Sequence, residues 1–126
     1  MKKDDGLKKY ILIAEDEPAL LDTMKAIIKK LDGEFEVNTV NSGIQALKFI
    51  NKSDIDLLIT DIFMPGKDGL ELIREVRKKS SSIKILAISG FGNHYLKVAE
   101  SFGASCSLNK PFSKNELESA IHRVLR

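Results

Sequence analysis

The sequence predicts an α/β fold in which a five-stranded parallel sheet is covered by helices on both faces. Short apolar segments alternate five times with segments whose apolar residues recur at helical spacing. The connections between these segments are short, as expected where helices serve as the crossovers between parallel strands. A chain of 126 residues has the length for one such domain with a single core and is too short for two.

The first strand and helix are followed by a less buried strand. YILIA (10–14) is a short apolar run of the kind found in buried strands. Pro18, which follows several acids, suits the first turn of a helix, and we expect Gly33 to end that helix. FEVNTV (35–40) alternates between apolar and polar residues, which predicts a strand with one more exposed side.

The middle of the chain has two helix starts around a strongly apolar strand. Ser42 and Gln45 have the spacing of a capping box and predict the start of the second helix. IDLLIT (55–60) is the third predicted strand. Asp68 and Glu71 predict the cap of the helix that follows it.

The last two units repeat the same order. IKILAIS (83–89) is the fourth predicted strand, and a helix over about 93–102, ended by a glycine, comes next. SCSLN (105–109) is a short fifth strand. Ser113 and Glu116 form another capping-box pair before the final helix.

This alternation restricts the topology of the sheet. Right-handed crossovers leave doubly wound strand orders, and five units suit the flavodoxin-like order 2-1-3-4-5. In such a sheet the functional groups lie outside the carboxyl ends of the strands, near the switch point between the first and third strands.

Polar residues follow four of the predicted strands at that edge. Glu15 and Asp16 end the first strand, and Asp61 ends the third, so three carboxylates should converge and repel one another. Oxygen ligands of this kind suit Mg²⁺. Ser89 supplies a hydroxyl and Lys110 an ammonium, which together predict phosphoryl transfer onto Asp61. Each residue alone is more often a helix cap or a turn residue than part of a site, but the joint pattern favours a site.

Composition excludes several other classes. The hydrophobic share of 43% and charged share of 30% fit a globular protein, and the formal net charge of +2 predicts no strong attraction to nucleic acid or to a membrane. Cys106 is the only cysteine, so no internal disulfide can form and a cytoplasmic setting is expected. We expect residues 1–8 to be an N-terminal tail and residues 9–126 to form the domain.

The chain resembles the receiver domain of bacterial two-component response regulators, in particular the single-domain chemotaxis type. Four segments carry the resemblance: ILIAEDEP, DLLITDIFMPGKDGLEL, ILAISG and LNKPF. It extends from about Tyr10 to Arg126. It implies that the domain assists its own phosphorylation and dephosphorylation and turns over no separate substrate.

The resemblance also implies a role for each site residue. Asp61 would accept a phosphoryl group from a histidine kinase or a histidine phosphotransfer protein, with Ser89 as the switch hydroxyl and Lys110 as the family's lysine. The implied Mg²⁺ ligands are Glu15, Asp16, Asp61 and the backbone carbonyl of Phe63. Since the chain ends with the fifth helix, output is expected to come through a partner, through phosphorelay or through competition for kinase phosphate.

The sequence departs from the family pattern in the fifth strand. Many receivers have Tyr or Phe three residues before the lysine, where this chain has Ser107. Tyr95 could take over a switch role, or it could be an ordinary helix-face residue. Phe63 and Phe91 occupy positions that in receivers flank the path of attacking water, so their rings either exclude water or only pack against the next helix.

Three alternative functions were weighed. A pseudo-receiver would be an interaction module without phosphorylation, and the intact set of site residues argues against it. A metal-dependent phosphatase with an aspartyl phosphate usually has a second acid two residues after its nucleophile, where this chain has Phe63. Flavin binding would favour a Ser/Thr/Gly-rich first loop, and EDEP has the wrong charge for a phosphate.

Overall fold

The computed structural model of the chain describes residues 8–91 and 93–126. Within these ranges strands and helices alternate strictly. The strands are β1 (Lys8–Ala14), β2 (Glu34–Val40), β3 (Leu57–Asp61), β4 (Lys84–Ser89) and β5 (Cys106–Asn109). The helices are α1 (Pro18–Lys29), α2 (Gly43–Lys52), α3 (Gly69–Lys79), α4 (Asn93–Ser101) and α5 (Lys114–Leu125). This confirms the predicted α/β architecture.

The five strands form one parallel sheet in the order β2-β1-β3-β4-β5. The predicted flavodoxin-like order 2-1-3-4-5 is therefore confirmed. Because β1 and β3 are neighbours, with Ala14 paired to Thr60, their carboxyl ends lie side by side at the same edge. Asp61 is the last residue of β3 and pairs with Ile88 of β4.

The core lies on both faces of this sheet because alternate strand residues point to opposite sides. Leu12 and Ala14 of β1 pack with residues of α2, α3 and α4, whereas Ile11 and Ile13 pack with residues of α1 and α5. These four side chains of β1 are all buried. Burial of a large apolar side chain contributes about 1.5–3 kcal/mol, so the two-sided core holds the sheet edge rigidly.

Helix starts follow the predicted caps with one difference. Ser113 and Glu116 form a complete capping box at α5. At α2, the Ser42 hydroxyl accepts a hydrogen bond from the Gln45 amide (3.2 Å), but the Gln45 side chain accepts from Asn41 and not from Ser42. The predicted box at α2 is thus only half formed, because the Gln45 side chain reaches the residue before the cap.

Other boundaries also differ from the sequence prediction. Helix α1 ends at Lys29 and not beside Gly33, which lies in the following turn with φ of 111°. Of the predicted tail, residues 1–7 lie outside the described residues, and Lys8 already begins β1. Among the described residues, no helix combines the length and the apolar character that crossing a membrane requires.

Arg77 connects three segments at the amino-terminal edge of the sheet, opposite the carboxyl ends of the strands. Its guanidinium donates to the carbonyl of Gly103 (2.7 and 3.1 Å), to that of Ser80 (3.1 Å) and to that of Ile83 (2.8 Å). These bonds join the end of α3, the approach to β4 and the turn between α4 and β5. Burial lowers the pKa of Arg77 below its ordinary value.

Replacing Arg77 should therefore destabilise the fold. Arg77→Met is expected to lower the free energy of unfolding by about 2–3 kcal/mol, because three carbonyls lose a charged donor. Lys78→Met, an exposed change in the same helix, should alter it by less than about 0.5 kcal/mol. Urea unfolding at neutral pH measures both values, and equal effects of the two substitutions would contradict the structural role of Arg77.

Candidate functional site

Three carboxylates meet at the carboxyl edge of β1 and β3, as expected from the strand order. Glu15 and Asp16 directly follow β1, and Asp61 ends β3. One oxygen atom from each of the three side chains lies within 4.8 Å of the others. Glu15 and Asp61 are 1% and 7% exposed, whereas Asp16 is exposed to solvent. Two of the three charges are therefore largely removed from water.

Lys110 bridges the two buried carboxylates. Its Nζ lies 2.8 Å from Asp61 Oδ2 and 3.0 Å from Glu15 Oε1. The residue follows β5 immediately, and its backbone amide donates to the carbonyl of Ser89 (2.9 Å), which ties it to the end of β4. The ammonium group thus offsets part of the negative charge at the edge.

The pKa values of this site reflect burial and charge together. Burial raises the pKa of the Glu15 carboxyl above its ordinary value, and the charge of Asp61 adds to this, against the hydrogen bonds from Lys110 and the Glu17 amide. For Lys110, burial lowers the pKa, but hydrogen bonds and charges from Asp61 and Glu15 outweigh it, so its pKa is raised. Lys110 is therefore a cation at neutral pH.

The loop after Asp61 is held close to that residue. The Phe63 amide donates to Asp61 Oδ1 (3.2 Å), and the Gly69 amide donates to the Ile62 carbonyl (2.7 Å). Gly66 has φ of 77°, which other residues rarely adopt. A Cβ atom at Gly69 would lie 2.1 Å from the Asp61 carbonyl oxygen, so α3 begins against the backbone of Asp61. The stiff loop holds the Asp61 carboxylate at the edge of the sheet.

Ser89 ends β4, next to β3, and is fully buried. Its Oγ accepts a hydrogen bond from the amide of Phe91 (3.1 Å). Because the oxygen is the acceptor in this bond, the hydroxyl proton can be donated to another group. Glu17 occupies the N-cap position of α1, but its side chain makes no capping hydrogen bond.

An aromatic cluster lies beside these residues. The ring centroids of Phe63 and Phe91 are 4.7 Å apart, and those of Phe63 and Tyr95 are 4.9 Å apart, both in edge-to-face geometry. We call Phe63, Phe91 and Tyr95 the aromatic cluster. Each of the three residues stands out in the sequence singly, but their mutual contact was not predicted. The sequence contains one signal for this contact. Phe63 lies two residues after the end of β3, and Phe91 lies two residues after the end of β4, the neighbouring strand.

Polar side chains of β5, including Ser107, contact α4. Ser107 occupies the position at which many receivers have an aromatic residue. The Ser107 hydroxyl donates to Glu100 Oε2 (2.7 Å), and the Asn109 side chain donates to Asn93 (3.1 Å), so β5 is bonded to both ends of α4. Cys106 is buried. The side chain at position 107 is thus already engaged on α4.

Comparison with known proteins identifies the family. The family model described as the response regulator receiver domain matches residues 11–122. The chain belongs to this family. The resemblance inferred from the four sequence segments is thereby confirmed, and it places this receiver domain in two-component signal transduction.

Curated relatives of this receiver domain are longer proteins. The uncharacterized transcriptional regulatory protein YesN of Bacillus subtilis is 35% identical over 117 residues, which cover 91% of this chain and 32% of YesN. The transcriptional regulatory protein MalR of the same organism is 34% identical over 113 residues, which cover 88% of this chain and 48% of MalR. The chain therefore spans about a third of the length of YesN and about half of the length of MalR.

Solved receiver structures match over nearly their whole length. The chemotaxis response regulator CheY4 of Vibrio cholerae has a TM-score of 0.85 and 25% identity, covering 94% of this chain and 99% of that protein. The response regulator TrrA of Thermotoga maritima was solved in complex with Mg²⁺-BeF. It has a TM-score of 0.83 and 32% identity, and the match covers 93% of this chain and 99% of TrrA. This receiver domain therefore has the same fold as these two proteins.

Proposed function

We propose that this receiver domain accepts a phosphoryl group on Asp61 in a Mg²⁺-dependent reaction and thereby switches the binding of a partner protein. One observation carries the proposal: a buried carboxylate at the end of β3 is contacted by the Lys110 ammonium (2.8 Å) and flanked by two further carboxylates. This arrangement combines a nucleophile with a cation that can stabilise a transferring phosphoryl group.

The acidic residues fit Mg²⁺ by the chemistry of their donor atoms. Mg²⁺ prefers carboxylate oxygens and keeps several water ligands for contact with phosphate. The residues that would hold it are Glu15, Asp16, Asp61 and the backbone carbonyl of Phe63. When bound, the ion would neutralise charge on the phosphoryl oxygens and on the carboxylates around them.

The transfer itself relies on three side chains. An oxygen of the Asp61 carboxylate forms a bond to phosphorus while the bond from phosphorus to the donor histidine nitrogen breaks, and that nitrogen keeps the electron pair. The Lys110 ammonium exchanges its Asp61 contact for the phosphoryl oxygens. The Ser89 hydroxyl donates its proton in a hydrogen bond to the same group. Asp61 is itself modified, so the domain works as a switch in a cytoplasmic signalling pathway and turns over no separate substrate.

Uptake of phosphate tests this function. The chain incubated with Mg²⁺ and acetyl phosphate is expected to gain the mass of one phosphoryl group, and chelation of Mg²⁺ should prevent the gain. Circular dichroism on the same samples confirms that the fold is intact. A folded chain that gains no mass would favour the alternative function, a pseudo-receiver that binds partners without phosphorylation.

The donor protein is expected to bind beside α1. An open groove of about 700 Å³ runs between α1 and the segment after β5. Its apolar lining includes Ala19, Leu20, Pro111 and Phe112, and Lys110 lies at the same groove. A histidine donor, from a kinase or a phosphotransfer protein, that occupied this groove would reach Lys110, whose Nζ contacts Asp61 (2.8 Å). The early part of α1, with Pro18, is exposed beside it.

A positive charge introduced on α1 tests this placement. Asp22→Lys, and separately Thr23→Arg in the groove lining, should slow transfer from a histidine kinase by about tenfold or more, which corresponds to ~1.4 kcal/mol. Uptake from acetyl phosphate should stay unchanged, since it needs no docking. Lys48→Glu, exposed on α2 at the opposite face of the sheet, is the matched control. Normal kinase transfer in both α1 variants would contradict the docking site.

The lifetime of the phosphorylated form should depend on Phe63 and Phe91. Both rings are large and apolar and cannot orient an attacking water, so we expect them to slow hydrolysis. Phe63→Asn and Phe91→Glu should speed the loss of phosphate by about tenfold, a barrier change of ~1.4 kcal/mol. The measurement is the decay of the phosphorylated mass after the donor is removed. Unchanged decay in both variants would show that the rings serve only in packing.

A further inference from the structure

The aromatic cluster is bonded to the site through two backbone amides. The Phe63 amide donates to Asp61 Oδ1 (3.2 Å), and the Phe91 amide donates to Ser89 Oγ (3.1 Å). The two rings contact each other at 4.7 Å, and Tyr95 of α4 packs on Phe63 at 4.9 Å. A continuous path of contacts therefore leads from Asp61 and Ser89 to the start of α4.

The contacts within this cluster can rearrange without disturbing the core. The side chains of Phe63, Phe91 and Tyr95 are 39%, 69% and 37% exposed, and the three belong to the four exposed large hydrophobic side chains among the described residues. Edge-to-face contacts between exposed rings are individually weak. A change in a single backbone hydrogen bond can therefore alter how the rings pack.

The fifth strand offers no comparable path. Its sequence, CSLN, contains no aromatic residue, and the Ser107 hydroxyl is bonded to Glu100 on α4. No ring on β5 can therefore follow a movement of Ser89. The bond from the Phe91 amide, by contrast, ends on the Ser89 oxygen itself.

We propose that the aromatic cluster reports the state of Ser89 and takes the place of the missing aromatic residue on β5. The inference rests on the proposed function. When the Ser89 hydroxyl moves toward a phosphoryl group on Asp61, its bond to the Phe91 amide lengthens or breaks. Phe91 and Tyr95 then change their packing on Phe63, and the surface formed by the β4–α4 loop and α4 changes with them. Phe91 thus transmits a movement of Ser89 to the aromatic cluster.

Tyr95 provides an intrinsic reporter. The chain has no tryptophan and two tyrosines, of which Tyr10 is buried in the core at 4% exposure. In a Tyr10→Phe background, tyrosine emission therefore comes from Tyr95. The probe is Mg²⁺ with beryllofluoride, a stand-in for the phosphoryl group, and Mg²⁺ alone is the reference. Fluorine NMR of the bound beryllofluoride measures occupancy independently of Tyr95.

We expect a saturable change in Tyr95 emission with beryllofluoride and Mg²⁺, and no such change with Mg²⁺ alone. At full occupancy the change should be lost in Ser89→Ala and reduced in Phe91→Leu. Ser119→Ala, an exposed change on α5, should respond like the parent. Circular dichroism confirms that each variant is folded.

Two results would overturn this inference alone. One is full occupancy by beryllofluoride without a change in Tyr95 emission. The other is the same emission change in Ser89→Ala as in the parent, because the signal would then not pass through Ser89. If the chain neither binds beryllofluoride nor gains mass from acetyl phosphate, the proposed function fails, and this inference fails with it.

Discussion

Asp61→Asn is expected to gain no phosphoryl group, either from acetyl phosphate or from a histidine kinase. An amide oxygen is a poor nucleophile and a weak ligand for Mg²⁺, so the substitution removes both contributions of the side chain. The variant should remain folded, because Lys110 keeps its contact with Glu15 (3.0 Å). Asparagine also has nearly the same size and shape as the aspartate that it replaces. Intact mass after incubation with the donor and Mg²⁺ measures the loss.

Asp16→Asn is the matched control for this experiment. It makes the same chemical change in the same cluster, but at an exposed residue that is not expected to form the bond to phosphorus. Uptake should be slower through weaker Mg²⁺ binding and should approach the parent level at high Mg²⁺ concentration. If Asp61→Asn gained phosphate as readily as the parent, the phosphoacceptor would be a different residue.

Lys110→Ala is expected to slow phosphoryl uptake by about a hundredfold, or ~2.7 kcal/mol of barrier, because the transferring group loses its cationic contact. Mg²⁺ affinity should be retained. The ammonium bridges Glu15 and Asp61 in this structure, so its removal leaves two buried carboxylates that repel each other and attract a divalent cation. The response of Tyr95 to beryllofluoride should also be impaired.

Two measurements separate these effects. A Mg²⁺ titration reports the metal site, and the rate of mass gain from acetyl phosphate at saturating Mg²⁺ reports the chemical step. Lys114→Ala, an exposed lysine at the start of α5, should match the parent in both. Loss of Mg²⁺ affinity in Lys110→Ala together with an unaltered uptake rate would contradict the role assigned to the ammonium.

The sheet order could be predicted from local patterns in the sequence. Each strand is a short apolar run, and each helix carries its apolar residues on one face, so element type was encoded within about ten residues. Crossover handedness then restricted the order, which placed Glu15, Asp16 and Asp61 at one edge. In the structure, one oxygen atom of each of these side chains lies within 4.8 Å of the others.

Contacts between distant side chains could not be predicted in this way. Nothing in the local pattern around Arg77 indicates that it donates to the carbonyl of Gly103, 26 residues away. The contact of Phe63 with Tyr95 likewise depends on how the loop after β3 meets the start of α4. The Gln45 cap differed from its prediction because the Gln45 side chain accepts from the amide of Asn41, one residue before the cap. These features depend on tertiary geometry, which sequence spacing does not specify.

The central claim, that Asp61 is the phosphoacceptor, is tested most directly by locating the label. Borohydride reduces the acyl phosphate of a phosphorylated aspartate to the alcohol of homoserine, and tandem mass spectrometry of the resulting peptides then identifies the modified position. After incubation with Mg²⁺ and acetyl phosphate, we predict that this product appears at position 61 and disappears when Mg²⁺ is chelated. Modification of Glu15 or Asp16 in place of Asp61, or none on a folded chain, would contradict the account.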